Sequence, residues 1–445
     1  MKFFYISYLN CILFLIFQND YLNGIQLNDI VKLNFHDSLI NSNDDSSLVN
    51  YKGLIKKPDI TSLNTKIYFG SEVKAPSTFN HFDLHLKGNI SKIYFHINPI
   101  IVNSINKEYI GSKYSRSNIS ARFDNSYIEY KYDIFKLKVG RSTVNWGGTN
   151  NYSIIQSGLS PGYDHIGLKI KSDHIEYDLI NGQLSSLENN IYGRVKRFIS
   201  GKKIKFIFND KLSFGFGDQI IYTGPNRSIE LHYLNPFAPY FLAGLEKEEE
   251  ESFLDNDNSI LFFFGKFKYK DNLSFFTEFL IDDFQIDNTG RSNKLGLKIG
   301  LNGFIPIFEN ILSFYIDFSF IQPSTYMHSG LYTNWDNLDY NLGSVFGSGS
   351  NNYFYQFVYH FSKNTKLLFE FNDLSKNTTE ALDNEISNYE RTFFYDVSII
   401  KKYSNTIFKV GKKNLDFPYG LKKDLYQLND YKIYFSIIQS INLDF

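Results

Sequence analysis

Tyr431–Phe445 reads YKIYFSIIQSINLDF. Tyr431, Ile433, Phe435, Ile437, Ile441, Leu443 and Phe445 fall on one side of a period of two, and Lys432, Ser436, Ser440, Asn442 and Asp444 fall on the other. Successive side chains change face only in an extended chain, so this is a strand with one apolar and one polar face. The pattern reaches far upstream: from Thr65 onward, alternating segments of about 8 to 14 residues are joined by short polar turns and longer polar loops in turn. The fold class expected is all-β, an antiparallel barrel.

Composition excludes the main competitors. With 445 residues the chain is long enough for one large barrel, and its net charge of -1 lacks the basic excess of a nucleic-acid binder. Mean hydropathy is -0.27, and no run after residue 20 approaches the ~20 apolar residues of a spanning helix. Aromatics make up 18% of the chain, as 44 Phe and 33 Tyr but only 2 Trp. Phe, Tyr, Ile, Asn and Lys share AT-rich codons, so placement informs more than number. Cys11 is the one cysteine, which leaves no disulfide, zinc site or thiol chemistry to a mature chain, and no cofactor or metal is expected. Met1 and Lys2, an apolar stretch from Phe3 to Phe17, and Gly24 fit a secretory signal peptide over residues 1–25. The alternative is an uncleaved anchor. A short periplasmic segment over 26–64 and a barrel over 65–445 complete the expected domain order.

Counting segments gives eighteen strands, nine up to Tyr222 and nine after the loop that follows it, with short turns on one side and long loops on the other. The parse expects turns at Gly88–Asn89 and, between Ile191–Ile199 and Ile204–Tyr222, at Ser200–Gly201. The last segment resembles the terminal strand by which bacterial outer-membrane barrels are recognised for insertion. That resemblance implies insertion machinery and outer-membrane lipid as partners, and puts the short turns in the periplasm and the Trp146 and Trp335 loops outside. Alternation alone does not separate a membrane barrel from a soluble sandwich, because either has one polar face. The polar faces carry opposed charges: Glu129 and Lys131 against Lys136 and Lys138, Lys169 and Lys171 against Glu176 and Asp178, and Lys266 against Glu278. Each such pair contributes roughly 0.2–1 kcal/mol, and a mixed-sign interior argues against a strongly ion-selective pore.

Val139–Ile170 reads VGRSTVNWGGTNNYSIIQSGLSPGYDHIGLKI: a Gly-Arg strand end, a Trp-Gly-Gly loop, a Ser-Pro-Gly stretch and a return strand. It resembles the Wzi family of capsule-assembly outer-membrane proteins. A second matching region runs from Leu234-Asn235-Pro236 through Asp255-Asn256 to Glu278–Phe284 (EFLIDDF). Together the two cover under a third of the mature chain. The resemblance implies an eighteen-stranded barrel in the outer membrane of a Gram-negative cell, acting as a surface lectin for capsular polysaccharide. It assigns Arg141, Gly147, Gly148, Asn235, Pro236, Asp255, Asn256, Glu278, Asp282 and Asp283 to family-motif or lumen roles. Gln26–Ser62, short and rich in Asn and Asp, departs from the helical bundle of the well-studied branch.

Ser157 and Ser160 with Asp164 and His165 are the nearest approach to a hydrolase grouping, but Ser- and Asp-rich loops generate such clusters freely, and no enzyme is expected. The acidic run Glu246–Glu251 is a solvated loop or a calcium site, the former favoured. Sugar binding needs aromatic faces against C–H groups and amides or carboxylates on hydroxyls. The loops offer Trp146, Tyr152, Tyr163 and His165; Tyr326, Tyr332 and Trp335; and Tyr240. For each Tyr an interfacial girdle position is as good a reading, whereas the two Trp escape the codon bias. The functional expectation is binding of surface polysaccharide in capsule assembly or attachment; the alternative is a porin-like channel for small solutes or oligosaccharides.

Overall fold

A computed structural model describes residues 62–74, 77–103, 112–113, 119–148, 152–191, 193–224, 227–240, 257–283, 293–308, 310–328, 331–377, 389–403, 406–413 and 432–444. The expected signal segment, the 26–61 stretch, the Glu246–Glu251 run, Asp255, Asn256 and Phe445 lie outside them. In chain order the long strands are β1 (Ser62–Lys74), β2 (Ser77–Ile90), β3 (Ile93–Asn103), β4 (Ile119–Tyr132), β5 (Phe135–Ser142), β6 (Tyr163–Lys171), β7 (Ile175–Asn189), β8 (Gly193–Ile207) and β9 (Leu212–Gly224). The second half holds β10 (Asn258–Lys270), β11 (Leu273–Asp283), β12 (Lys294–Ile307), β13 (Asn310–Ile321), β14 (Ser350–Ser362), β15 (Thr365–Asn377), β16 (Tyr389–Tyr403), β17 (Thr406–Lys413) and β18 (Lys432–Asp444).

Each strand pairs antiparallel with the next, and β1 pairs with β18 from Asn64↔Asp444 to Lys74↔Tyr434. Among the described residues this closes eighteen strands into a barrel, with the two-residue Ser112–Lys113 appended to β4. Closure leaves no strand edge with unpaired N–H and C=O groups, a condition any sheet must meet to stand in lipid.

One rim carries tight turns; Ser91, Asp133 and Phe308 reverse the chain there at φ of 55°, 52° and 55°. The first turn lies at Ser91–Lys92, since β2 runs on through Gly88 and Asn89 to Ile90. The other rim carries the long connections, but not exclusively. Lys74 pairs with Ser77 and Asn189 with Gly193, so two connections on that side are also short.

The expected turn at Ser200–Gly201 is absent: β8 is continuous through it and the chain turns between Ile207 and Leu212. Gly201 serves another purpose. A Cβ there would lie 2.8 Å from the Trp146 ring, so the residue makes room for a side chain packed against the inner wall.

Alternation sets the two surfaces of the wall. Ile128, Leu137, Val139, Ile166, Phe214, Phe263, Phe369 and Ile399 point outward and are exposed. Tyr132, Tyr269 and Tyr403 do so near the tight-turn rim, where girdle aromatics belong. Inward-facing Glu129, Glu176, Asp178, Lys203, Glu278, Lys298 and Asp317 are buried. Exposed apolar and enclosed charged side chains invert the arrangement of a soluble sandwich.

Candidate functional site

Among the described residues, two long connections, over 143–162 and 322–349, fill the barrel. Among their residues Trp146, Ile154, Ile155, Tyr326, Trp335 and Leu342 form one apolar cluster with inward residues of the wall, including Phe262, Phe264, Ile199 and Ile221.

Each loop is tied to charged groups on the inner wall. Glu278 of β11 accepts hydrogen bonds from the Gly148 amide at 2.8 Å, the Ser153 hydroxyl at 2.9 Å and the Ile154 amide at 2.8 Å. Next to it, Lys298 of β12 donates to the Tyr152 carbonyl at 2.7 Å and pairs with Asp317 of β13 at 2.9 Å. Lys298, not Lys266, is the cross-strand partner of Glu278; Lys266 stands opposite Phe276. Gly147 takes φ +146°, and a Cβ there would come 2.3 Å from both Glu278 Oε1 and Ser153 Oγ, so the loop passes the carboxylate at a distance only glycine permits.

Arg197 of β8, fully buried, secures the second loop. Its guanidinium donates to the Tyr332 carbonyl at 2.6 Å, the Asn334 carbonyl at 2.5 Å, and Asp336 through Oδ1 at 3.0 Å and the carbonyl at 3.1 Å. Asp282 accepts from the Tyr326 amide at 2.7 Å. The loops also bind each other: Ser157 N–H donates to the Leu342 carbonyl at 2.8 Å, Tyr326 hydroxyl to the Ile154 carbonyl at 2.5 Å, and Asn337 Nδ2 to the Pro161 carbonyl at 3.1 Å. Burial pushes the Tyr326 phenol well above the usual tyrosine range, so it remains a donor.

Below the plug, toward the tight-turn rim, a cavity of about 240 Å³ is roofed by Trp146 and Phe264. Lys136, Lys138, Lys169, Lys171, Lys203 and Lys205 line it, against Glu176 and Asp178. The expected cross-strand pairs are present around it: Lys136 meets Glu129 at 2.8 Å and Lys169 meets Glu176 at 3.0 Å, while Lys203 adds a contact to Asp178 at 2.8 Å. Lysines outnumber carboxylates, so the cavity attracts anions.

Most of the candidate sugar-binding aromatics are inside this plug rather than at the surface. Trp146 is 5% exposed and Trp335 1%, and Tyr163, Tyr326 and His165 are buried as well. They answer to packing: an aromatic ring against the glycine and aliphatic inner wall buries more area than one left in water. Tyr152 packs its ring against Phe354. Tyr240 is fully buried on the opposite, outer side of the wall. Tyr332, like Tyr152, is half-buried, and its hydroxyl accepts from Asn189 Nδ2 at 2.7 Å where β7 ends.

Two further expectations are corrected. Arg141 does not face the lumen: it shares its register with Asp164, bonds it at 3.0 and 2.6 Å, and both point outward near the long-loop rim. Asn235 and Pro236 also lie on the outer wall, against Lys202 and Tyr177. Nor are the hydrolase residues assembled. Asp164 is exposed and His165 buried, because consecutive strand residues face opposite ways, and Ser157 is spent on the Leu342 carbonyl. The Asp283 side chain is outside what the structure describes. Arg197 and Lys298 were missed by sequence reasoning; Arg197 is one of six cations in β8 and Lys298 one of two in β12, and only the loops folded onto them give them a role.

No family model matches the chain, and no curated protein does. Solved structures do match. The chain is similar to Wzi of Escherichia coli, an outer-membrane protein involved in group 1 capsule assembly and a carbohydrate-binding β-barrel. The two share 12% identity at a TM-score of 0.62, over 94% of this chain and 90% of that one. It is also similar to the outer-membrane protein OpdK of Pseudomonas aeruginosa, at 11% identity and a TM-score of 0.50 over 86% of this chain and 98% of that one. With the apolar outer wall, these likenesses give a β-barrel of the outer membrane; in such barrels the short turns face the periplasm and the long loops the outside of the cell.

Proposed function

We propose that this barrel binds surface polysaccharide at its extracellular mouth, in attachment or assembly of a capsule, and that it is neither an enzyme nor a diffusion pore. The observation that carries this reading is the plug. Two loops from opposite halves of the chain, cross-bonded to each other and anchored on buried Glu278, Lys298 and Arg197, are an expensive arrangement for a channel that must pass solutes. Buried charged groups bonded in the way of Glu278, Lys298 and Arg197 hold one arrangement and resist its opening. Similarity in fold to a carbohydrate-binding barrel supports the reading.

The mouth, not the plug, would meet the glycan. Tyr332 presents a half-buried ring beside Asn189, with exposed Asp339 and Leu338 on the same loop as Tyr332. An aromatic ring beside an amide is chemistry that grips a pyranose. The test combines two measurements. Purified protein in a planar bilayer should show no steady open conductance, and a deletion strain carrying Tyr332→Ala should retain less capsule and bind less glycan than one carrying the wild type. A steady large conductance from the wild-type protein would move the assignment to a porin-like channel.

A further inference from the structure

After β9, residues 227–240 run from the extracellular rim back down the outside of the barrel. Register places Phe198, Ser200 and Lys202 of β8 opposite Tyr222, Ile220 and Asp218 of β9, all pointing outward. On a bare wall these would meet lipid. Instead Phe198, Ile220 and Tyr222 are buried with Tyr233 and Tyr240 of the connection in a cluster separate from the plug, and Lys202 and Asp218 are buried 3.7 Å apart.

Lys202 lies five residues from Ile207 at the periplasmic end of β8. At ~3.3 Å per residue and ~40° of tilt it sits ~13 Å above that rim, near the middle of the ~25 Å apolar band. A charged pair at that depth, and an irregular segment over it, survive only if their polar groups are satisfied locally.

Bonds between the wall and the segment do this. Lys202 Nζ donates to the Ala238 carbonyl and approaches the Asn235 carbonyl at 3.5 Å and the Tyr240 ring at 3.8 Å. Asp218 accepts from the Tyr240 amide at 2.8 Å. The Tyr177 hydroxyl donates to the Pro236 carbonyl at 3.1 Å, the Phe237 amide to Asn235 Oδ1 at 3.0 Å, and the Asn235 amide to the His232 carbonyl at 3.2 Å. Pro236 and Pro239 have no N–H to satisfy. The upper end is held by Arg227, bonded to Glu230 and Asp257. Burial disfavours its charge, but those bonds outweigh burial and raise its pKa further.

On the far side of this segment Phe237 is 89% exposed and Leu231 80%. Outward Ile175, Phe214 and Phe216, on the strands that the segment crosses, are exposed as well. Two side chains fall far short of the ~800 Å² per partner of a stable protein interface, whereas they extend a wall already built for acyl chains. We propose that residues 231–240 are an intramembrane strap, docked on the outer wall by Lys202 and Asp218, whose Phe237 and Leu231 insert into the acyl layer of the outer membrane.

Depth-dependent quenching tests this. Full-length protein with Cys11→Ser is reconstituted in phospholipid nanodiscs with a single nitrobenzoxadiazole label at Phe237→Cys or Leu231→Cys. Phe369→Cys on the bare wall and Asp173→Cys in a periplasmic turn serve as references, and heat-modifiable migration confirms that each variant folds. Labels at 237 and 231 should be quenched by doxyl-labelled lipid about as strongly as the label at 369, with 237 the deeper, and only weakly by aqueous iodide. Iodide quenching equal to that at 173 overturns the proposal, since the strap is then in water. Labels reached by neither quencher overturn it in favour of a second protein on this face. In Lys202→Met/Asp218→Leu, lipid quenching at 237 should fall at least ~2-fold as the strap loses the groups that satisfy its backbone; unchanged quenching overturns the docking role.

Discussion

Glu278 shows how far one buried side chain organises this protein. A single inward carboxylate on β11 accepts three hydrogen bonds from a loop more than 120 residues earlier in the chain. Glu278→Leu removes all three acceptors and leaves buried donors unpaired, each costing ~1–3 kcal/mol; thermal melting of the purified barrel should shift down. Gly147→Ala should act in the same direction, because its Cβ would collide with that carboxylate. Trp146→Ala tests a different question. The ring is buried beside Phe262, at 6.1 Å between centroids, so the variant should lose ~3–5 kcal/mol of stability as a cavity forms, while glycan binding by the surviving folded fraction stays near wild type. Loss of binding without loss of stability would return Trp146 to the binding site. None of this can be read from the Trp-Gly-Gly motif, which shows that the loop is special but not that it turns inward.

The decisive elements are loops, and their behaviour separates three cases. The 143–162 and 322–349 loops fill the lumen; the 227–240 segment climbs down the outer wall; the turns of the periplasmic rim simply reverse the chain. Replacing residues 145–160 with a short Gly-Ser linker should remove half of the plug and raise conductance in a planar bilayer by at least ~10-fold, because it deletes the bonds from Glu278, Lys298 and Leu342 together. An unchanged conductance would mean that the second loop alone seals the barrel. Strands were legible because their signal is local. The turns at Asp133 and at Asp271-Asn272 fall where the alternation breaks, and β10 and β11 follow the expected segments. Of the two misplaced turns, the one at Gly88–Asn89 is off by three residues, while the larger error, at Ser200–Gly201, arose because a glycine in a strand interior looks like a turn when the aromatic it accommodates is 55 residues away in the chain.

For the whole molecule, closure is the property that everything else depends on. Partners on β1 and β18 are 380 residues apart at Asn64 and Asp444 and 360 apart at Lys74 and Tyr434, yet form a continuous antiparallel ladder. Antiparallel register partners lie ~4.5–5.5 Å apart between Cα atoms, within the range a disulfide spans. Thr65→Cys with Leu443→Cys should therefore cross-link under mild oxidation and give a band that remains compact on gels after boiling, until reductant is added. Failure of the pair to cross-link, with neighbouring register pairs also silent, would contradict closure at this seam.

The sequence by itself determined an all-β barrel, its eighteen strands, the side on which the long loops lie and the paired charges of the lumen. Each of these rests on the two-residue period or on residues facing each other across a tight turn. Tertiary structure decided that Trp146 and Trp335 are plug rather than surface, that Arg141 faces outward, and that Leu234-Asn235-Pro236 lies against the outer wall. Those outcomes depend on which distant strand offers a glycine, a carboxylate or a lysine at the right height, and burial of a loop is fixed by partners over a hundred residues away that no local period encodes.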